Sequence, residues 1–194
     1  MREDGTVTGT TTIDADDREI SFADEGEGPV SLVLVSDRSV DRDGLGVIAH
    51  YLAEEAGFRV IRIGTEPVDE ASVQNRTSDV LAVLDRLGLE DTWVGGHGAG
   101  GAVARAFAAE HTDRVNGLLL MGVEEDSTPL APLIPVLIIQ GAEDEVTPAE
   151  RAEALRATAP ERASIKTIEG AGHDFPLTHP IDAAVIIEEY LDWD

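Results

Sequence analysis

The stretch Trp93-Val94-Gly95-Gly96-His97-Gly98-Ala99-Gly100-Gly101-Ala102 joins an apolar strand end to a helical pattern through a cluster of glycines. A chain that turns this abruptly needs residues without side-chain bulk. It leaves one residue exposed at the apex, beside the free N–H groups of the new helix. That arrangement suits a nucleophile, with amide donors facing the place where an oxyanion would develop. The frame here is Gly96-His97-Gly98-Ala99-Gly100, and its apex is Gly98. Glycine accepts the turn's backbone angles but has no atom to attack with. Two further loops hold residue types suited to proton transfer. Asp144 follows an apolar run and Gly141, and His173 ends Gly170-Ala171-Gly172-His173. There is no cysteine, so thiolate nucleophiles, thiolate zinc sites and disulfides are excluded. No histidine and carboxylate spacing suggests a metal site, and no cofactor is expected.

The elements that would position these residues follow from periodicity. Residues 31–35, 116–122 and 136–140 are nearly continuous apolar runs, as expected of parallel strands buried on both faces. Residues 6–13, 19–23, 59–63, 92–94 and 163–168 read as further strands. Helices are predicted from Leu45 to a stop at Gly57, then over 73–87, 102–110, 148–158 and 181–190. Strands alternating with helices predict an α/β fold with a mostly parallel sheet covered on both sides. The first two strands lack a crossover helix and should form an antiparallel edge. The length of 194 residues suits one domain, 1–194.

The whole pattern, from about Ile13 to Tyr190, resembles the α/β-hydrolase superfamily. Asp16-Asp17-Arg18-Glu19-Ile20 through Gly28-Pro29 is similar to its opening hairpin. Leu87-Gly88-Leu89 through Gly101-Ala102 is similar to its elbow. Pro135-Val136-Leu137-Ile138-Ile139-Gln140-Gly141-Ala142-Glu143-Asp144 is similar to the strand and loop carrying its acid. Gly170-Ala171-Gly172-His173 is similar to its histidine loop. The order nucleophile, acid, histidine is the family's. The resemblance implies an α/β-hydrolase fold and assigns Asp144 to orient an imidazole and His173 to act as base. Glu124, Glu125 or Asp126 would hold the acid in members that place it one strand earlier. Ala99 N–H should be one oxyanion donor and, by position, Arg38 N–H the second. Relatives place His-Gly where this chain has Ser36-Asp37, and Asp37 brings negative charge to a site meant for an anion. The linker 124–135 is too short for a helical lid, so a shallow, open pocket for small molecules is expected.

Without an Oγ at position 98, no acyl-enzyme forms there. Three readings follow: a serine esterase whose serine is replaced by glycine, an enzyme using His173 and Asp144 as a base without a covalent step, or a non-catalytic ligand-binding or interaction protein. Ser36 or Ser39 as a relocated nucleophile would need a base on the wrong side of the cleft. His97 reads as a packed neighbour of the apex. His50, His111 and His179 read as surface or helix residues.

Asp and Glu number 39 against 14 Lys and Arg, a net charge of −25. The acids are scattered through periodic segments, not massed in a tail. Such a field repels nucleic acid and anionic membrane; a small-molecule ligand or ester substrate is the partner the resemblance implies. No apolar run approaches the roughly 20 residues needed to span a bilayer, and residues 1–5 form no apolar signal core, so a cytoplasmic protein is expected. The acidic surface resembles that of salt-accumulating haloarchaeal proteins and predicts a halophilic chain. Self-repulsion is relieved as the Debye length shrinks to about 3 Å at 1 M salt. The melting temperature should therefore rise from about 0.1 to about 2 M KCl. A flat or falling melting temperature in differential scanning calorimetry would contradict it.

Overall fold

Along β3 (Ser31–Ser36), Val33 and Val35 pack into one hydrophobic cluster, and Leu32 and Leu34 into another. The same split recurs in β6 (Val115–Met121), where Leu118 and Leu120 join the first cluster and Leu119 and Met121 the second. Alternate side chains leave opposite faces of a strand. A strand apolar at every position must therefore be covered on both sides. The structure, a computed structural model, describes residues 11–15, 18–36, 38, 40–64 and 72–192.

Among the described residues, eight strands form one sheet in the order β1-β2-β4-β3-β5-β6-β7-β8. The other strands are β1 (Thr11–Ala15), β2 (Arg18–Glu25), β4 (Arg59–Gly64), β5 (Thr92–His97), β7 (Val136–Gly141) and β8 (Ala163–Ile168). β1 pairs antiparallel with β2, and β2 antiparallel with β4. All remaining pairs are parallel. The expected antiparallel edge is present. The portion 6–10 of the first expected strand lies outside the described residues, as do residues 65–71 between β4 and the next helix.

Helices α2 (Ser72–Leu87), α3 (Ala99–Glu110) and α4 (Ala149–Ala157) supply Val83, Phe107 and Leu155 to the first cluster. Helices α1 (Gly46–Glu54) and α6 (Pro180–Leu191) supply Leu52 and Ile187 to the second. Helix α5 (Phe175–Thr178) is a single turn that the sequence pattern did not reveal. Residues 122–135 hold neither helix nor strand, so that linker forms no helical lid. Among the described residues, no helix is long and apolar enough to cross a membrane.

Two features fix the loops around that edge. The Arg62 guanidinium donates to both Asp43 carboxylate oxygens at 3.1 Å, and Asp43 Oδ1 also accepts from Leu45 N–H at 2.8 Å. This nearly buried ion pair holds the segment leading into α1 against β4. The second feature corrects the expected start of α3. The helix begins at Ala99, not Ala102, although Gly100 and Gly101 are poor helix formers. The reason is close packing: a Cβ on Gly100 would lie 2.0 Å from the Val35 carbonyl oxygen. The first turn of α3 can sit on β3 only if it has no side chain there. Gly100→Ala should therefore destabilise the fold by about 1–3 kcal/mol or more, read by urea unfolding. An alanine variant as stable as the parent would show that the approach is not tight.

Candidate functional site

β5 ends at His97, α3 starts at Ala99, and Gly98 makes the turn with φ 56° and ψ −120°. These angles strain any L side chain. The φ is positive, a conformation that glycine takes at little cost. Gly98 N–H donates to the Met121 carbonyl at 3.0 Å, and the Gly98 carbonyl accepts from Ala102 N–H at 3.2 Å. The turn is thus held from both sides. Ala99 N–H, the first amide of α3, has no acceptor within the helix.

The loop between β8 and α5 delivers His173 to the same edge. Its Nδ1 lies 3.0 Å from Asp144 Oδ2, in the loop after β7. Asp144 is closely held: Oδ1 accepts from the amides of Val146 at 2.9 Å and Thr147 at 2.8 Å, and Oδ2 from the Thr147 hydroxyl at 2.6 Å. Burial pushes the Asp144 carboxyl up. The Thr147 hydroxyl and amide and the His173 ring outweigh it and hold the group below the usual carboxylate range. An ionised, fully covered carboxylate at Nδ1 orients an imidazole and stabilises its protonated form.

His97 supports that loop. Its Nε2–H donates to the His173 carbonyl at 2.7 Å, and its ring lies 4.5 Å from the His173 ring and 5.8 Å from Phe175. Burial holds the His97 ring below the usual histidine value. It is a packed neighbour of the apex, as its position in the sequence suggested. The accepting carbonyl requires the proton on Nε2.

The space over Gly98 is the chemically interesting volume. A Cβ built there would lie 3.3 Å from Glu124 Oε1 and 3.6 Å from His173 Nε2. An imidazole and a carboxylate therefore both border the place of the missing Oγ. The cavity here measures about 130 Å³ and is lined by Ser36, Arg38, Gly98, Ala99, Glu124 and His173, among others. That is below the roughly 300–1,000 Å³ of ordinary ligand pockets. Glu124, Glu125 and Asp126 were the alternative acids. Asp144 takes the Nδ1 position, and Glu124 stands beside the apex instead.

Arg38 N–H, the expected second oxyanion donor, donates to Ser36 Oγ at 3.0 Å. It serves an oxyanion only if that bond opens or is shared. Asp37 and Ser39 lie outside the described residues. His50, His111 and His179 do not line the cavity. Among the described residues, no group of three or more histidines and carboxylates could hold a metal. The sequence reading missed Thr147. Its signal was there in Asp144-Glu145-Val146-Thr147-Pro148, the pattern of an Asp capping its own downstream amides.

A depressed carboxyl contributes stability that is present above its unfolded value and is lost as pH falls through its lower folded value. Thr147→Val removes the hydroxyl donor and should cost about 1–3 kcal/mol at neutral pH. The deficit against the parent should close below about pH 4. Thermal unfolding across pH checks this. A deficit unchanged in acid would mean that Thr147 acts by packing alone.

No curated protein matches the chain. The fold closely matches solved structures at low identity. A CIB-like hydrolase from Thermoplasma acidophilum superposes with a TM-score of 0.79 and 14% identity, covering 94% of this chain and 97% of that one. A thermophilic esterase from Thermogutta terrifontis gives 0.76 and 21%, covering 94% and 97%. A bromoperoxidase from Bacillus anthracis gives 0.79 and 17%, covering 95% and 100%. Residues 31–175, which hold the elbow, Asp144 and His173, match the alpha/beta hydrolase family, and the chain belongs to it.

Proposed function

We propose that this chain is an esterase-related hydrolase of small substrates that works without a covalent nucleophile. Its base is His173, held by Asp144. One observation carries the reading: an Asp144–His173 pair at 3.0 Å is kept beside an apex with no side chain, and Nε2 lies 3.6 Å from the position of the absent Cβ.

In this mechanism a water over Gly98 replaces the serine hydroxyl. Its two protons point to His173 Nε2 and Glu124 Oε1, so a lone pair faces the substrate carbonyl. Nε2 takes one proton as the water oxygen bonds to carbon. Asp144 stabilises the imidazolium, and Ala99 N–H donates to the oxyanion. The imidazolium then returns the proton to the leaving alkoxide as the carbon–oxygen bond breaks. Acid and alcohol leave. Glu124 opposes an oxyanion electrostatically, so this chemistry should be slow and confined to activated or small esters. The 130 Å³ cavity supports the size limit.

Hydrolysis of a short p-nitrophenyl ester in molar KCl tests this with the parent, His173→Ala and Gly98→Ser. The parent should turn over slowly, without an acyl-enzyme burst, and lose activity in His173→Ala. Gly98→Ser should gain a burst and rise by several orders of magnitude. It should also lose about 1–3 kcal/mol of stability from the strained φ. Its Cβ meets Glu124 Oε1 at 3.3 Å, so Glu124 must give way slightly. A parent without His173-dependent turnover refutes the base reading. Activity in Gly98→Ser alone would then mark a serine hydrolase that lost its nucleophile, and activity in neither would favour a ligand-binding protein.

A further inference from the structure

A second and larger cavity, about 540 Å³, lies between the loop after β6 and helix α4. Its apolar wall includes Val123, Leu130 and Leu155, and Arg105 of α3 also lines it. Arg105 is only 6% exposed. Its Nε is buried and has no hydrogen-bond partner. Among the described residues, no hydrogen bond or ion pair reaches its guanidinium. A covered N–H donor without a partner is costly.

The other cations around the cavity are already engaged. Arg162 donates to the carbonyls of Ala131 at 2.7 Å and Ile134 at 2.9 Å. Arg151 pairs with the exposed Glu125 at 3.8 Å. Asp126 lends Arg105 a favourable field, but its Oδ1 accepts from the Thr128 amide and hydroxyl, both at 2.9 Å. Glu124 is the remaining lining charge.

We propose that this cavity binds a small organic monoanion, a short-chain carboxylate whose head is held by Arg105 and whose apolar body lies on Val123, Leu130 and Leu155. The planar guanidinium matches a carboxylate in two parallel hydrogen bonds. The volume lies within the range of small-molecule sites. One uncommitted cation among Glu124, Glu125 and Asp126 suits a single negative charge and disfavours a phosphate dianion. Burial pushes Arg105 below the usual arginine value, and a bound carboxylate would reverse that shift. The proposal does not use His173 and stands apart from the hydrolytic reading. Glu124 lines both cavities, so an occupant here would touch the same side chain that borders Gly98.

Titration of hexanoate, 1-hexanol and inorganic phosphate into the full chain, followed by amide NMR at fixed KCl, tests the site. Hexanoate should bind saturably and shift the amides of Val123, Leu130 and Leu155. Arg105→Met keeps the length and apolar bulk without the charge, and should weaken hexanoate at least about tenfold. Hexanol and phosphate should bind the parent at least about tenfold more weakly than hexanoate. Absence of hexanoate binding, unchanged affinity in Arg105→Met, or shifts confined to residues around Gly98 would overturn the proposal. Hexanol binding as tightly would make the cavity merely apolar, and phosphate binding more tightly would overturn the carboxylate class. If Arg105→Met does not fold, Arg105→Lys replaces it. The point charge loses the two-pronged contact, so undiminished affinity there contradicts the assignment.

Discussion

Backbone meets backbone where α3 leaves β5, and the site depends on that contact. Gly96 and Gly100 allow it, since a Cβ on either would lie within 2.6 Å or less of the Val35 carbonyl oxygen. The approach leaves the chain little choice at Gly98 but a left-handed turn, with φ 56°. From that turn follow the free amide of Ala99 and the exposure of the apex at the sheet's C-terminal edge. In the family's usual chemistry the strained apex carries a reactive oxygen. Here the strain is absorbed by glycine, so the geometry survives without the atom it serves elsewhere.

The electrostatics around the apex have two parts that pull differently. Asp144 is covered, ionised and satisfied by three donors before His173 is counted or moved. That half of the site is built to support a positive charge on imidazole. Glu124, beside the same space, adds a negative charge where a developing oxyanion would want none. A serine hydrolase gains little from that carboxylate. A water that must be held by two acceptors gains a second one. This difference is why the proposed chemistry runs through water.

Much of the fold was legible because buried parallel strands leave an unambiguous trace. Val136–Gly141 is apolar at nearly every position, and only a doubly covered strand tolerates that. The elbow was legible because its glycines answer to backbone geometry, which is local. Asp144 and His173 were legible from their places in the order of motifs. The start of α3 was not, because Gly100 and Gly101 are poor helix formers until Gly100 packs on β3 and Gly101 on β5. Helix α5 has a single turn and so no period to read. The approach of Glu124 to the apex and the bond from His97 to the His173 carbonyl join segments far apart in the chain, and the Nε of Arg105 is covered only once the chain folds. No local pattern announces them.

The central claim is that Asp144 fixes His173 with its proton on Nδ1 and a bare Nε2 toward Gly98. Nitrogen-15 NMR of the histidine ring reads this directly, since protonated and bare ring nitrogens resonate far apart. The account predicts that neutral His173 is the Nδ1–H tautomer, with the Nδ1 proton strongly deshielded by Asp144 and that deshielding lost in Asp144→Asn. A neutral His173 protonated on Nε2, or one averaging freely between the two tautomers, would contradict it.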